Sequence, residues 1–108
     1  MNYTENNKIA IGSPNSNMRE LTKKDYIKYD DPGHGWLAVP VKHLGILDIA
    51  NKITSCSYKK GNTTYLEEDC DLATFLTAWE LYTGLKFKDH YVNRYTDNRS
   101  NIRNYASY

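Results

Sequence analysis

An α+β fold is predicted by three features of the 108-residue chain. Residues 25–40 and 54–68 each read as a β-hairpin, and residues 71–84 carry a single apolar helical stripe. With a short broken helix and one last strand, the order becomes β-β-α-β-β-α-β. A helix buries only one face against a sheet. The simplest arrangement is therefore an antiparallel or mixed sheet of about five strands with its helices on one side.

The second hairpin and its helix are the best-marked elements. Thr-, Ser- and Tyr-rich runs at 54–59 and 63–68 bracket Lys60-Gly61-Asn62, and a Gly-Asn pair is a hairpin signal because both residues tolerate positive φ. With Gly61-Asn62 as the turn, Tyr58 faces Tyr65 and Cys56 faces Glu67. Leu72, Phe75, Leu76 and Trp79 then recur at i, i+3, i+4 and i+7, one face of a helix, which Tyr82 and Leu85 extend. Asp69 or Asp71 is the expected N-cap, and Gly84 the residue that ends the helix in the left-handed region.

In the first hairpin, Asp30-Asp31-Pro32-Gly33-His34-Gly35 is a dense turn signal between Ile27/Tyr29 and the alternating run Trp36–Pro40. Pro40 suits the first position of a helix. Residues 41–53 place Ile46, Ile49, Ala50 and Ile53 at helical spacing, but Gly45 costs about 1 kcal/mol inside a helix. Two short turns, 41–44 and 47–51, are expected, with Asp48 capping the second. Lys86–Val92 reads as the last strand. Residues 1–20 are polar and Asn-rich and suit a flexible arm, with only Ile9-Ala10-Ile11 able to pack. The compact single domain is placed at 21–108.

The composition excludes several classes. Fourteen basic and thirteen acidic residues leave a net charge of +1, so no global field points to nucleic acid or membrane. The chain has no apolar run long enough for a membrane span and no secretion-signal pattern at its start. Cys56 and Cys70 are too few for a secreted disulfide framework. Free thiols and a cytoplasmic location in a bacterial host are expected.

Four segments carry candidate chemistry. His34 sits between two glycines beside Trp36, a loop able to hold a general base oriented by Asp30 or Asp31, or to form a small-ligand or nucleotide pocket. Spacing alone places no nucleophile beside it. Glu67, Glu68, Asp69 and Asp71 form the densest acidic cluster. They lack the ladder of a calcium loop and suit either a helix N-terminus or a patch facing a basic partner. Cys56 and Cys70 with His34, His43 and His90 contain no zinc-type ligand pair. No metal, cofactor or catalytic residue is therefore assigned. After Lys86 the tail interleaves Arg94, Arg99 and Arg103 with Tyr95, Tyr105 and Tyr108, a composition that stacks on bases and equally one that anchors protein interfaces.

The segments DDPGHGWLAVP, LGI, SYKKGNTTYLEEDCD and the C-terminal S-x-IRNY-x-SY resemble a family of small proteins of bacteriophages, plasmids and other mobile elements. The resemblance runs from about Tyr26 to Tyr108. It implies no known activity and supplies no catalytic residue. By analogy of genetic context, it implies a counter-defence role. The expected function is then a non-enzymatic interaction protein that inhibits a host defence complex, of the anti-CRISPR or anti-restriction kind. Its contacts would be Glu67, Glu68, Asp69 and Asp71 on one side and Arg94, Arg99, Arg103 and Tyr105 on the other. A nucleic-acid-binding accessory protein using the Arg/Tyr-rich tail is the first alternative, and a small-ligand protein using Gly33–Trp36 the second. The oligomeric state stays open.

Overall fold

The computed structural model describes residues 16–108. Its elements are α1 (Ser16–Thr22), β1 (Tyr26–Asp30), β2 (Gly35–Pro40), α2 (Val41–Ile46), a 3-10 turn (Ala50–Lys52), β3 (Tyr58–Lys60), β4 (Thr63–Glu67), α3 (Leu72–Thr83), a second 3-10 turn (Phe87–Asp89), β5 (Tyr91–Tyr95), a third (Asn101–Asn104) and β6 (Ala106–Ser107). One six-stranded mixed sheet runs in the order β5-β1-β2-β4-β3-β6. Among the described residues only the β1–β5 pair is parallel. The α+β class is as expected; the sheet gains a strand because the tail returns to pair with β3.

Both hairpins form. Tyr58 faces Tyr65 as the turn predicts, with Gly61 at φ 60° in the first turn position, as a type II′ turn requires. The ladder stops at Tyr58, so Cys56 does not face Glu67. Instead Ser57 Oγ accepts from the Glu67 backbone N–H at 3.1 Å. Gly33 and Gly35 keep negative φ, since among the described residues Gly61 and Gly84 are the positive-φ glycines. They are needed for close approach: a Cβ at Gly33 would meet Arg103 Nη2 at 2.9 Å, and one at Gly35 would meet Glu68 Oε1 at 2.8 Å.

The core lies between one sheet face and the helices. Leu37, Val39 and Leu66 meet Phe75, Trp79, Leu44, Leu21 and Phe87. Tyr26 joins it, with ring contacts to Phe75, Trp79 and Phe87 at 5.2–6.4 Å. The α3 stripe ends at Trp79: Tyr82 and Leu85 are exposed, and Leu81 is 85% exposed. Gly84 takes φ 73° and ends the helix as expected.

Several boundaries move. Val41–Ile46 continues through Gly45, the second turn shrinks to Ala50–Lys52, and Pro40 precedes α2 rather than opening it. Asp48 does not cap; it takes φ 56° where the chain reverses. The last strand starts at Tyr91, because Phe87 is drawn into the core by a 3-10 turn. The arm boundary at residue 20 falls within α1. Leu21 is buried there, and Glu20 accepts from His43 Nε2 at 2.8 Å. The Ile9–Ile11 segment lies outside the described residues.

A carboxylate only accepts, so His43 Nε2 carries a proton toward Glu20, while Nδ1 lies 2.8 Å from the Tyr26 hydroxyl, which also donates to Leu21 O at 3.3 Å. Burial lowers the His43 pKa, with Glu20 opposing. The His43 bond, then Lys23, lowers that of Glu20 to about 2.

Candidate functional site

Strand alternation puts Tyr29, Trp36, Tyr65 and Glu67 on the face away from the apolar core. The tail folds back over part of that face. Its clasp is Asp31, whose carboxylate, with no exposed surface, accepts five hydrogen bonds. Gly33 N donates at 3.0 Å, and His34 N, Ser100 N and Arg103 Nε and Nη2 each donate at 2.9 Å. The Arg103 fork is the largest reason that the Asp31 carboxyl stays far below the usual carboxylate range, with the backbone donors adding to it. Arg103 is therefore not a free contact residue. It holds the tail, its guanidinium 5.5 Å from the Trp36 ring, and the sequence shows neither partner because 72 residues separate them.

This chemistry sets an acid response. Asp31 and Glu20 have folded pKa values below their unfolded ones, and so does His43. The stability each contributes is full above its unfolded pKa and is lost as pH falls through the folded value. Unfolding midpoints are expected to fall from about pH 6.5 downward as His43 begins to titrate, and again below about pH 4.5 as the carboxylates do. Thermal melts across pH 3–8 check this, and a midpoint that rises on acidification contradicts it.

The acidic cluster does not form one surface patch. Asp71 is buried; its Oδ2 accepts from Thr54 N and Thr54 Oγ1 at 3.0 Å and from Ser57 Oγ at 2.6 Å. It starts α3 without a side-chain cap, spending its acceptors on the preceding loop. Glu67 is also buried, bonded to His34 Nδ1 at 3.1 Å and to Asp69 N at 2.9 Å. Glu68 pairs with Lys28 at 2.9 Å, so Asp69 is the exposed member whose carboxylate has no lysine or arginine partner among the described residues. No hydroxyl or thiol is hydrogen-bonded to the His34 ring among the described residues.

Cys56 and Cys70 form a disulfide, with Cα atoms 6.8 Å apart. The free-thiol expectation fails because residues 55–57 turn out of the ladder toward Asp71, a geometry that composition does not contain. The expectation of a cytoplasmic location rests partly on unpaired cysteines, and the bond removes that support.

What remains open on the far face is aromatic. Tyr65 lies 6.4 Å from the Tyr29 ring and 5.1 Å from the Tyr105 ring. Burial raises the Tyr65 pKa, and the neighbouring Tyr105 and Tyr29 add to the shift, so its hydroxyl stays protonated at neutral pH. Tyr29, Tyr65 and Tyr105 line a cleft of about 500 Å³ with Arg99, Asn98 and Ser100. Tyr29 and Tyr65 also line a second cleft of about 420 Å³, with Ile27, Lys23, Lys24, Glu20 and Asp25, where Lys23 is paired with Glu20 at 3.0 Å. The two tyrosines are thus shared by both clefts, one rimmed by Arg99 and the other by charges of both signs. Arg94 is exposed opposite Tyr29, and Lys60 Nζ sits 5.0 Å over the Tyr105 ring.

No family model, curated protein or solved structure matches the chain.

Of the residues expected at the site, the structure brings Tyr105 and Arg99 to one cleft and places Arg94 opposite Tyr29 on β5. It withdraws Arg103, Glu67 and Asp71 into the framework, and it buries Trp36. Tyr29 and Tyr65 are absent from the sequence-based set. Their signal was available in strand alternation, which places both on the side of Trp36 rather than Leu37. No helix among the described residues is long and apolar enough to cross a membrane.

Proposed function

We propose that this chain is a non-enzymatic binding protein that takes single-stranded nucleic acid along the Tyr29–Tyr65–Tyr105 groove. The observation that supports this reading is the sharing of Tyr29 and Tyr65 by two clefts, one carrying Arg99 and the other carrying Lys24 beside Asp25 and the paired Lys23 and Glu20. Aromatic faces stack on any base, and flanking cations follow the backbone. The overall charge of +1 makes stacking the larger contribution. The few cations at the groove limit the salt dependence, since each neutralised phosphate of a single strand adds about 0.7 to the slope of log affinity on log salt.

The test is fluorescence polarisation of labelled oligo-dT and oligo-U. Each base stacked on an aromatic ring is worth about 1–3 kcal/mol, so Tyr65→Ala is expected to weaken binding by about 5- to 150-fold. Arg99→Ala should flatten the salt slope by about 0.7. Absence of binding at about 50 mM salt, well below the ionic strength that screens such contacts, defeats the reading. So does binding that Tyr65→Ala leaves unchanged.

A second reading keeps the protein partner. Leu81, Tyr82 and Leu85 are exposed along one side of α3 and its end, an apolar ridge that suits docking on another protein. Under this reading a phage or mobile-element protein occupies the surface of a host defence complex. Leu81→Glu would then abolish inhibition while leaving oligonucleotide binding untouched. Inhibition that survives this substitution removes the second reading.

A further inference from the structure

We infer that His34, Glu67 and Asp69 form a binding site for a divalent transition ion of the Zn²⁺ class. The β1–β2 loop supplies the imidazole, the end of β4 supplies Glu67, and the turn into α3 supplies Asp69. One ligand atom from each lies within 4.8 Å of the others, close enough for a single ion to gather them through small side-chain rotations. His34 Nδ1 and Glu67 Oε2 are already 3.1 Å apart. Glu67 is held from behind, its Oε1 accepting from Asp69 N at 2.9 Å, and this bond also draws Asp69 to the site.

The charges at the site call for a cation. Lys28 is taken by Asp30 and Glu68, and Arg103 by Asp31. Glu67 and Asp69 therefore stand together with no lysine or arginine partner among the described residues. The imidazole is half-exposed and reachable from solvent. Trp36 packs beside the site, its ring 5.9 Å from that of His34.

One imidazole nitrogen with two carboxylate oxygens suits Zn²⁺, Co²⁺ or Mn²⁺ rather than a soft ion, and three protein ligands leave a coordination position open. The acidic residues alone, without a histidine from another loop, do not reach this donor set. The pattern escapes sequence inspection because 33 residues separate His34 from Glu67.

The test uses the full chain with its disulfide intact, so that Cys56 and Cys70 are closed to metal. Calorimetric titration with Zn²⁺, and with Co²⁺ followed by its visible spectrum, is expected to show one ion per chain. His34→Gln and Asp69→Asn both alter exposed side chains and should leave the circular dichroism unchanged. Each is expected to weaken binding at least about tenfold, since even the loss of an outer-shell partner costs 10–100-fold. Loss of the Co²⁺ spectrum in both variants supports the site. No stoichiometric uptake of either ion by the folded wild-type chain overturns it, and so does uptake that both substitutions leave unchanged.

Discussion

Trp79→Ala is expected to destabilise the protein by about 3–5 kcal/mol, the range for deleting a buried aromatic ring. Trp79 has no exposed surface. Its ring lies 5.0 Å from both Phe87 and His90 and 6.4 Å from Tyr26, and its Nε1 donates to Leu21 O at 3.4 Å. The substitution therefore empties the point where α3, the 3-10 turn at Phe87–Asp89, β1 and the end of α1 meet. Of a total stability of about 5–15 kcal/mol for a domain of this kind, that loss is about a fifth or more. Urea denaturation measures it as a lower midpoint. A shift of less than about 1 kcal/mol, the size expected of a surface substitution, would show that this ring is not part of the core.

Replacing both Cys56 and Cys70 by serine is expected to cost about 3 kcal/mol, the chain-entropy value for a loop of about 15 residues. With about 2.1 cal/mol/K of unfolding entropy per residue, that lowers the melting temperature by about 13 °C. The effect should be local as well as global. The loop held by the disulfide receives the C-terminus: Tyr108 N donates to Ser57 O at 2.9 Å, and Ser107 Oγ donates to Ser55 O. Hydrogen exchange is therefore expected to quicken first at β6, while β2 and β4 stay protected. The Asp71 bonds to Thr54 and Ser57 keep the loop near its place, so the variant should still fold. An unchanged melting temperature under reducing and oxidising conditions would mean that the bond does not constrain the chain in solution.

The two hairpins, the length of α3 and its Gly84 terminus are legible in the amino acids because each depends on contacts a few residues long. Turn residues such as Gly61 and apolar positions at helical spacing act locally and leave a local trace. The same holds for part of the groove, where Tyr105 and Arg99 stand out from the tail composition. The rest of the groove needs the register of β1 on β2 and of β2 on β4, which brings Tyr29 and Tyr65 to one face.

Other features have no local signal at all. Asp31 chooses Arg103, Asp71 chooses Thr54 and Ser57, and Cys56 chooses Cys70 only after the sheet has brought distant segments together. In each case a buried polar group must find partners once water is removed, and residues that read as surface charge become internal framework. The parallel seat of β5 beside β1 and the return of β6 to β3 are decided in the same way. Neither follows from strand propensity; both depend on which sheet edges stay open once the helices have covered the other face. Residue types and spacing thus determined the α+β class, the hairpins and the main helix. Tertiary structure decided which charges remain available for a ligand, because that depends on partners that only the folded sheet brings into contact.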